Sequence, residues 1–164
     1  MGTAAFMPAE EYLRLTEKPT SEYREGVLYP KATPTKFHGA LEFQLVAMLR
    51  RLRLDAVAEV TVRLSAAKYL VPDVIAAPVL QSPHPTEPVL LCCEILSPED
   101  RLGAMLAKCE EYHAWGVPFC WVIDPVKRTA WEYHAAAEPV RVTGTLRAGE
   151  LSVSLDELFS ALDR

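Results

Sequence analysis

Two short apolar runs in this chain each enclose a carboxylate. Tyr69-Leu-Val-Pro-Asp-Val-Ile-Ala-Ala77 holds Asp73 directly after Pro72, and Val89-Leu-Leu-Cys-Cys-Glu-Ile-Leu96 holds Glu94. Both runs are brief, apolar and rich in branched side chains, the pattern of buried strands. A charge on such a strand costs several kcal/mol unless it is paired, bound to metal or neutralised. Glu22, in the strand-like stretch Ser21–Tyr29, is a third acid in a costly setting. Side chains alternate along a strand. Asp73 and Glu94 on adjacent strands in matching phase would therefore meet, repel, and raise one of the two pKa values. A hard cation such as Mg²⁺ relieves that repulsion and needs only one or two carboxylates plus waters and a substrate phosphate. The other reading is that each carboxylate caps a backbone group or pairs with a buried arginine.

The 164 residues form a single predicted domain, 1–164, long enough to bury a core, and half of them are hydrophobic. The formal net charge of −5 excludes a protein that coats nucleic acid through overall basicity, so any such contact needs a local patch. No apolar run is long enough for a membrane span. The start, Met1 to Glu10, lacks the basic opening of a signal peptide, and the context around Gly2 is weak for myristoylation. Cys92, Cys93, Cys109 and Cys120 form no Cys-x-x-Cys pair and lie in apolar segments. They read as buried, reduced thiols, which places the chain in the cytoplasm.

Pattern and punctuation predict a helix at 8–15, a strand within 21–29 turning at Gly26, and a loop from Pro30 to Thr35. A helix from His38 to Leu54 carries Leu41, Leu45, Met48 and Leu52 on one stripe. Arg50, Arg51 and Arg53 crowd its end, either serving the helix dipole or forming a phosphate-contacting patch. A strand follows over 57–64, with a hairpin turn at 65–68 leading into the Asp73 strand. Beyond the proline-rich loop 78–88 come the Glu94 strand and a helix from about Glu99 to Trp115, stopped by Gly116. Strands are predicted at 119–123, 129–134 and 140–145. Ser154-Leu-Asp-Glu157 has capping-box spacing and opens a last helix to Leu162. The order suits one mixed sheet flanked by helices, an α/β (α+β) arrangement.

On the 99–115 helix, Arg101, Met105, Lys108, Tyr112 and Trp115 form one narrow stripe. Either the two cations snorkel to water, or Lys108 stands beside the carboxylates and positions a water or a phosphate.

Taken together, Ser21-Glu-Tyr-Arg-Glu-Gly-Val-Leu-Tyr29, His38, Val71-Pro-Asp-Val74, Glu94-Ile-Leu-Ser-Pro98, Asp100-Arg101 and Lys108-x-x-x-Tyr112 resemble the Uma-two family of restriction-endonuclease-like proteins. That family lies within the PD-(D/E)XK nuclease superfamily. The resemblance runs from about Pro8 to Leu162 and implies a restriction-endonuclease-like fold. It implies a Mg²⁺-dependent endonuclease acting on DNA, with Mn²⁺ as substitute, Asp73 and Glu94 as metal ligands and the Ile95 carbonyl as a third oxygen. The superfamily's usual lysine would stand where this chain has Leu96; Lys108, on the following helix, matches the relocated position. Glu22 matches a further acid able to hold a water. His38 matches a recurrent histidine, read either as a packing or hydrogen-bonding group or as part of the site. With Lys31, Lys36, Arg50 and Arg101 it makes up the candidate nucleic-acid-contacting set. A homodimer would supply contact area for two strands. The alternative is a nuclease fold without catalysis, serving as a nucleic-acid-binding or interaction module.

Overall fold

The computed structural model describes residues 6–16 and 20–164. The start of the chain, with Gly2, lies outside the described residues. The elements run α1 (Ala9–Tyr12), β1 (Ser21–Arg24), β2 (Val27–Pro30), α2 (Lys36–Arg51), β3 (Asp55–Ala58), β4 (Val62–Ser65), β5 (Lys68–Leu70) and β6 (Val74–Ala77). They continue with β7 (Leu91–Ile95), α3 (Leu102–Trp115), β8 (Phe119–Asp124), β9 (Thr129–His134), β10 (Val140–Val142), β11 (Thr145–Ala148), β12 (Leu151–Ser154) and α4 (Leu155–Ser160).

Six strands build a mixed sheet in the order β10-β9-β8-β7-β6-β3, and four build a second sheet in the order β2-β1-β5-β4. Among the described residues only β7 and β8 pair in parallel, joined by α3 as crossover helix, as parallel neighbours require. The six-stranded sheet is buried on both faces, and its alternation sorts side chains between two cores. Leu91, Cys93 and Ile95 of β7 pack with Leu41, Leu45 and Leu49 of α2 and Leu158 of α4. Cys92 of the same strand and Leu96 just after it face the other way, toward Cys109 and Tyr112 of α3 and toward Leu70 of the small sheet. Glu94 shares the parity of Cys92, so strand phase alone turns it toward α3.

Local chemistry explains the helix limits. Thr35 caps α2, its hydroxyl accepting from the His38 N–H at 3.2 Å. Ser154 caps α4 in the same way through the Glu157 N–H, as the capping box predicts. Gly116 ends α3 with φ 123°; any side chain there would be strained, and a Cβ would come within 2.8 Å of the Pro88 ring.

Three expected elements differ. The 57–64 strand is two strands, β3 and β4, in different sheets, because the chain turns at Glu59 (φ 57°). The Asp73 run is likewise split into β5 and β6, with Asp73 in the break. Pro72 has no N–H to continue a ladder, and the preceding Val71 N–H is taken by the Glu22 carboxylate at 2.9 Å. The 140–145 strand ends at Val142, since Gly144 adopts φ 78° and the chain restarts as the β11–β12 hairpin.

Candidate active site

The chain passes between the small sheet and the α2/six-stranded layer three times: after β2, after β3 and after β5. Each passage carries one charged residue, namely Lys31, Glu59 and Asp73, and the three meet. The Lys31 ammonium donates to Asp73 Oδ1 at 2.7 Å, to both Glu59 oxygens at 3.0 and 3.1 Å, and to the Val71 carbonyl at 2.9 Å. The Glu59 N–H closes the knot on the Asp73 carbonyl at 3.0 Å. Asp73 Oδ2 accepts from the Ile95 N–H at 2.6 Å and lies 3.3 Å from His38 Nε2. The β6–β7 register pairs Val74 with Cys93. One step further places Asp73 opposite Glu94 at the mouth of the ladder.

Glu94 is 2% exposed and fully engaged on one oxygen. Its Oε1 accepts from the Tyr112 hydroxyl at 2.6 Å and pairs with the Lys108 ammonium at 2.9 Å. Lys108 also reaches Glu22 Oε1 at 2.5 Å. Its head is therefore buried, so the snorkelling alternative does not describe it. Tyr112 follows Lys108 by four residues and Lys108 follows Glu94 by fourteen, so a strand–helix crossover is what closes this triad. Around it, Arg24 and Lys68 both bind Glu111, tying β1, the small sheet and α3 together. Glu22, Lys31, His38, Asp73, Glu94 and Lys108 all line one cleft of about 1230 Å³.

The charges are interdependent. Burial pushes the Glu94 carboxyl up to about 7; Lys108 opposes this shift and Asp73 adds to it. Burial also raises the Asp73 carboxyl, but His38 and Lys31 outweigh it and hold Asp73 well below its ordinary value. Burial disfavours the His38 imidazolium, yet the carboxylates of Asp73 and Glu42 raise it to about 10. Lys108 is likewise disfavoured by burial and held well above its usual value by Glu94 and Glu22.

These directions fix a pH dependence. Glu94 and His38 have folded pKa values above their ordinary 4.5 and 6.5. The stability each contributes is complete below its ordinary value and is lost as pH rises through the folded one. Asp73 works in the opposite sense, its contribution vanishing only as pH falls below 3.8. In chelator, Tm is therefore expected to peak near pH 5 and fall steadily toward pH 9, and His38→Gln should flatten the upper half of that decline. A Tm that rises between pH 6 and 9 would contradict the assignment.

The remaining predicted residues lie elsewhere. Arg50, at the far end of α2 from His38, donates through Nε to the Ala56 carbonyl at 2.9 Å; it secures the helix end to β3 and does not line the cleft. Lys36 and Arg101 are exposed and do not line it either. Lys31, expected as a surface contact, is an internal counter-charge whose side chain is 15% exposed. Sequence reasoning missed Glu42, Glu59, Glu111 and the hydroxyl of Tyr112. Glu42 had one available signal, its position one helical turn after His38; Glu59 had none, since it sits at a turn.

The donor set suits a hard divalent cation. Two buried carboxylates stand at the junction of neighbouring strands, and their negative charge is offset by the Lys31 and Lys108 ammonium groups and by the His38 ring. Asp73, Glu94 and the backbone around Ile95 offer oxygen, the ligand atom such ions prefer.

Comparisons agree with this architecture. The profile of the Uma2 family, described as "Putative restriction endonuclease", matches residues 9–162. A crystal structure of a "putative nuclease belonging to DUF820" from Anabaena variabilis ATCC 29413 superposes with a TM-score of 0.80 at 24% identity, over 95% of this chain and 99% of that one. That likeness shows a shared fold. No curated protein matches the chain at a significant level. Among the described residues, no helix is long and apolar enough to cross a membrane. With nearly its whole length covered by the profile, the chain belongs to the Uma2 family.

Proposed function

We propose that the protein is a Mg²⁺-dependent endonuclease that hydrolyses DNA phosphodiester bonds in the cleft between its two sheets, with Mn²⁺ able to replace Mg²⁺. The observation that carries this reading is the buried chain Glu22–Lys108–Glu94 set beside Asp73. Asp73, Glu94 and the Ile95 carbonyl would hold the cation. When bound, the cation supplies Lewis-acid polarisation of a phosphate oxygen and a more acidic water. Lys108 keeps its proton throughout, because two carboxylates press on it. It orients the attacking water and offsets charge gathering on the phosphate. Glu22, held by Lys108 and by the Val71 N–H, is aligned to accept the proton that water gives up. Tyr112 fixes the Glu94 carboxylate through Oε1 at the wall of the cleft. Two copies acting as a symmetric pair would address both strands.

The test is relaxation of supercoiled plasmid by purified protein. Mg²⁺ or Mn²⁺ is expected to support nicking and excess chelator to abolish it. Glu22→Gln is expected to slow nicking roughly 10²-fold, the size of a lost general base. Equal nicking in chelator would sink the reading. A second reading, a nuclease fold that binds without cutting, is favoured by one fact: Lys31 already neutralises Asp73. On that reading Mg²⁺ produces no nicking, and binding to duplex DNA persists and weakens with salt.

A further inference from the structure

Charge alone gives the cleft a poor grip on a polyanion. Acids outnumber cations along its lining, and Arg24, Lys31 and Lys108 are each already paired with a carboxylate. Phosphate contacts that release counterions need free cations, so a nucleic acid lying here must be held largely by other means. The β1–β2 hairpin supplies one. Tyr29 stands directly opposite Glu22 in the antiparallel register, and directly opposed residues share one face of a sheet. Arg24, two residues after Glu22, shares that face as well. Tyr29 therefore projects on the side of the hairpin from which Glu22 reaches Lys108 of α3. It is 49% exposed and lines the cleft. The Arg24 guanidinium lies 5.9 Å from the ring centroid and is itself held by Glu111. A cation–π contact thus steadies the ring without covering it. On α3, Ala104 and Ala107 sit one turn before Lys108 and Glu111, are exposed, and line the same cleft. Their small side chains leave open space on the helix side.

We infer that Tyr29 is a specificity-determining residue that stacks on an unpaired nucleobase next to the phosphate held near Glu22 and Lys108, so that the preferred nucleic acid is single-stranded or locally unpaired and not intact duplex. This inference rests on the proposed reading of the cleft as a phosphodiester site and narrows its substrate class. In a duplex each base is stacked and paired, and bringing one out costs unstacking energy. In an unpaired strand the bases swing out freely onto an aromatic platform, whatever their identity. Stacking draws on the flat face of the ring and needs no free cation, which suits a cleft lined mainly by acids. Supercoiled plasmid, whose torsion favours local strand opening, fits the same preference.

The experiment titrates an oligonucleotide carrying one 2-aminopurine and a terminal dye, as a single strand and as a fully paired duplex, with the full chain in CaCl₂, an ion that oxygen ligands accept. Dye anisotropy reads affinity; loss of 2-aminopurine fluorescence in the single strand reads the stacking contact itself. Wild type and Tyr29→Phe are expected to quench the single strand. Tyr29→Leu keeps apolar bulk and loses the aromatic face. It is expected to abolish quenching and weaken single-strand binding by roughly tenfold or more, the size of one lost stack. The duplex should bind wild type at least tenfold more weakly than the single strand does, and Tyr29→Leu should leave that weaker binding within threefold. Phe43→Leu, at a residue 79% exposed on α2 and outside the cleft lining, should change neither. Circular dichroism establishes that each variant is folded. Equal wild-type affinity for duplex and single strand overturns the inference, as does a Tyr29→Leu protein that quenches and binds like wild type. Incubating the same single strand with Mg²⁺ separates the two readings. Tyr29-dependent quenching without cleavage removes hydrolysis and leaves the stacking, whereas cleavage indifferent to Tyr29 removes the stacking and leaves hydrolysis.

Discussion

Lys108→Met is expected to lower stability by about 3–5 kcal/mol and to reduce plasmid nicking by roughly 10³-fold or more. The methionine keeps an apolar stem of similar length, so the packing of α3 against its neighbours is little changed. What disappears is the ammonium between Glu22 and Glu94, 2.5 and 2.9 Å away. The two acids then lose the cation between them, and only the more distant Arg24 and Lys31 remain. Glu94, already pushed up to about 7 by its surroundings, would take up a proton near neutral pH, which limits the loss. Adding Glu94→Gln to Lys108→Met should therefore recover part of the stability and none of the nicking. Thermal melts of the wild type, both single variants and the double variant form a cycle that isolates the coupling. For a chain of this size the single variant's Tm should fall by roughly 10 °C. A Lys108→Met protein as stable as wild type would mean that the ammonium leaves the pair in solution.

Asp73→Ala should be more damaging still to activity, with nicking undetectable, and should also destabilise by on the order of 3 kcal/mol. This one carboxylate takes the Ile95 N–H, the Lys31 ammonium and the His38 ring. Alanine strands the Ile95 N–H and the His38 ring and leaves Lys31 only Glu59 and the Val71 carbonyl. Asp73→Asn separates the contributions: the amide oxygen still accepts from Ile95, so most of the stability should return, while charge for a cation does not. Melting curves with 0 and 10 mM Mg²⁺ provide the readout. Wild type should gain stability from the ion, since a ligand confined to the folded state must raise Tm, and neither variant should. A Mg²⁺ response retained in Asp73→Asn would remove Asp73 from the cation site.

How much of this was legible beforehand depends on whether the signal was local. The alternation of β7 set Glu94 on one face with Leu96, and the α3 stripe left Lys108 either snorkelling or beside the carboxylates; both are periodicities within one element. The choice of Lys108 came from the family resemblance, whose relocated lysine it matches. The split of the Asp73 run into β5 and β6 was not legible. It depends on Glu22, 49 residues away, capturing the Val71 N–H that a continuous strand would have used. Lys31 was misplaced for a similar cause. A lysine in a proline-bounded loop looks solvated until Glu59 and Asp73 arrive from distant passages of the chain. The β11–β12 hairpin was not predicted: the single strand expected over 140–145 left residues 146–153 without an element, although Gly144 and Gly149 mark its two turns. Arg50 was ambiguous in the sequence because a basic helix terminus has the same appearance whether it greets phosphate or a neighbouring carbonyl.

The meeting of Lys31, Glu59 and Asp73 has a mechanical corollary. All three passages between the layers are pinned to one another at a single spot, so any tilting of the small sheet against the large one must pivot there. The edges of the small sheet away from that pivot sweep the widest arc when the gap opens. Asp73 scarcely travels. The outer lips of the gap can therefore spread while the anchoring carboxylate keeps its station.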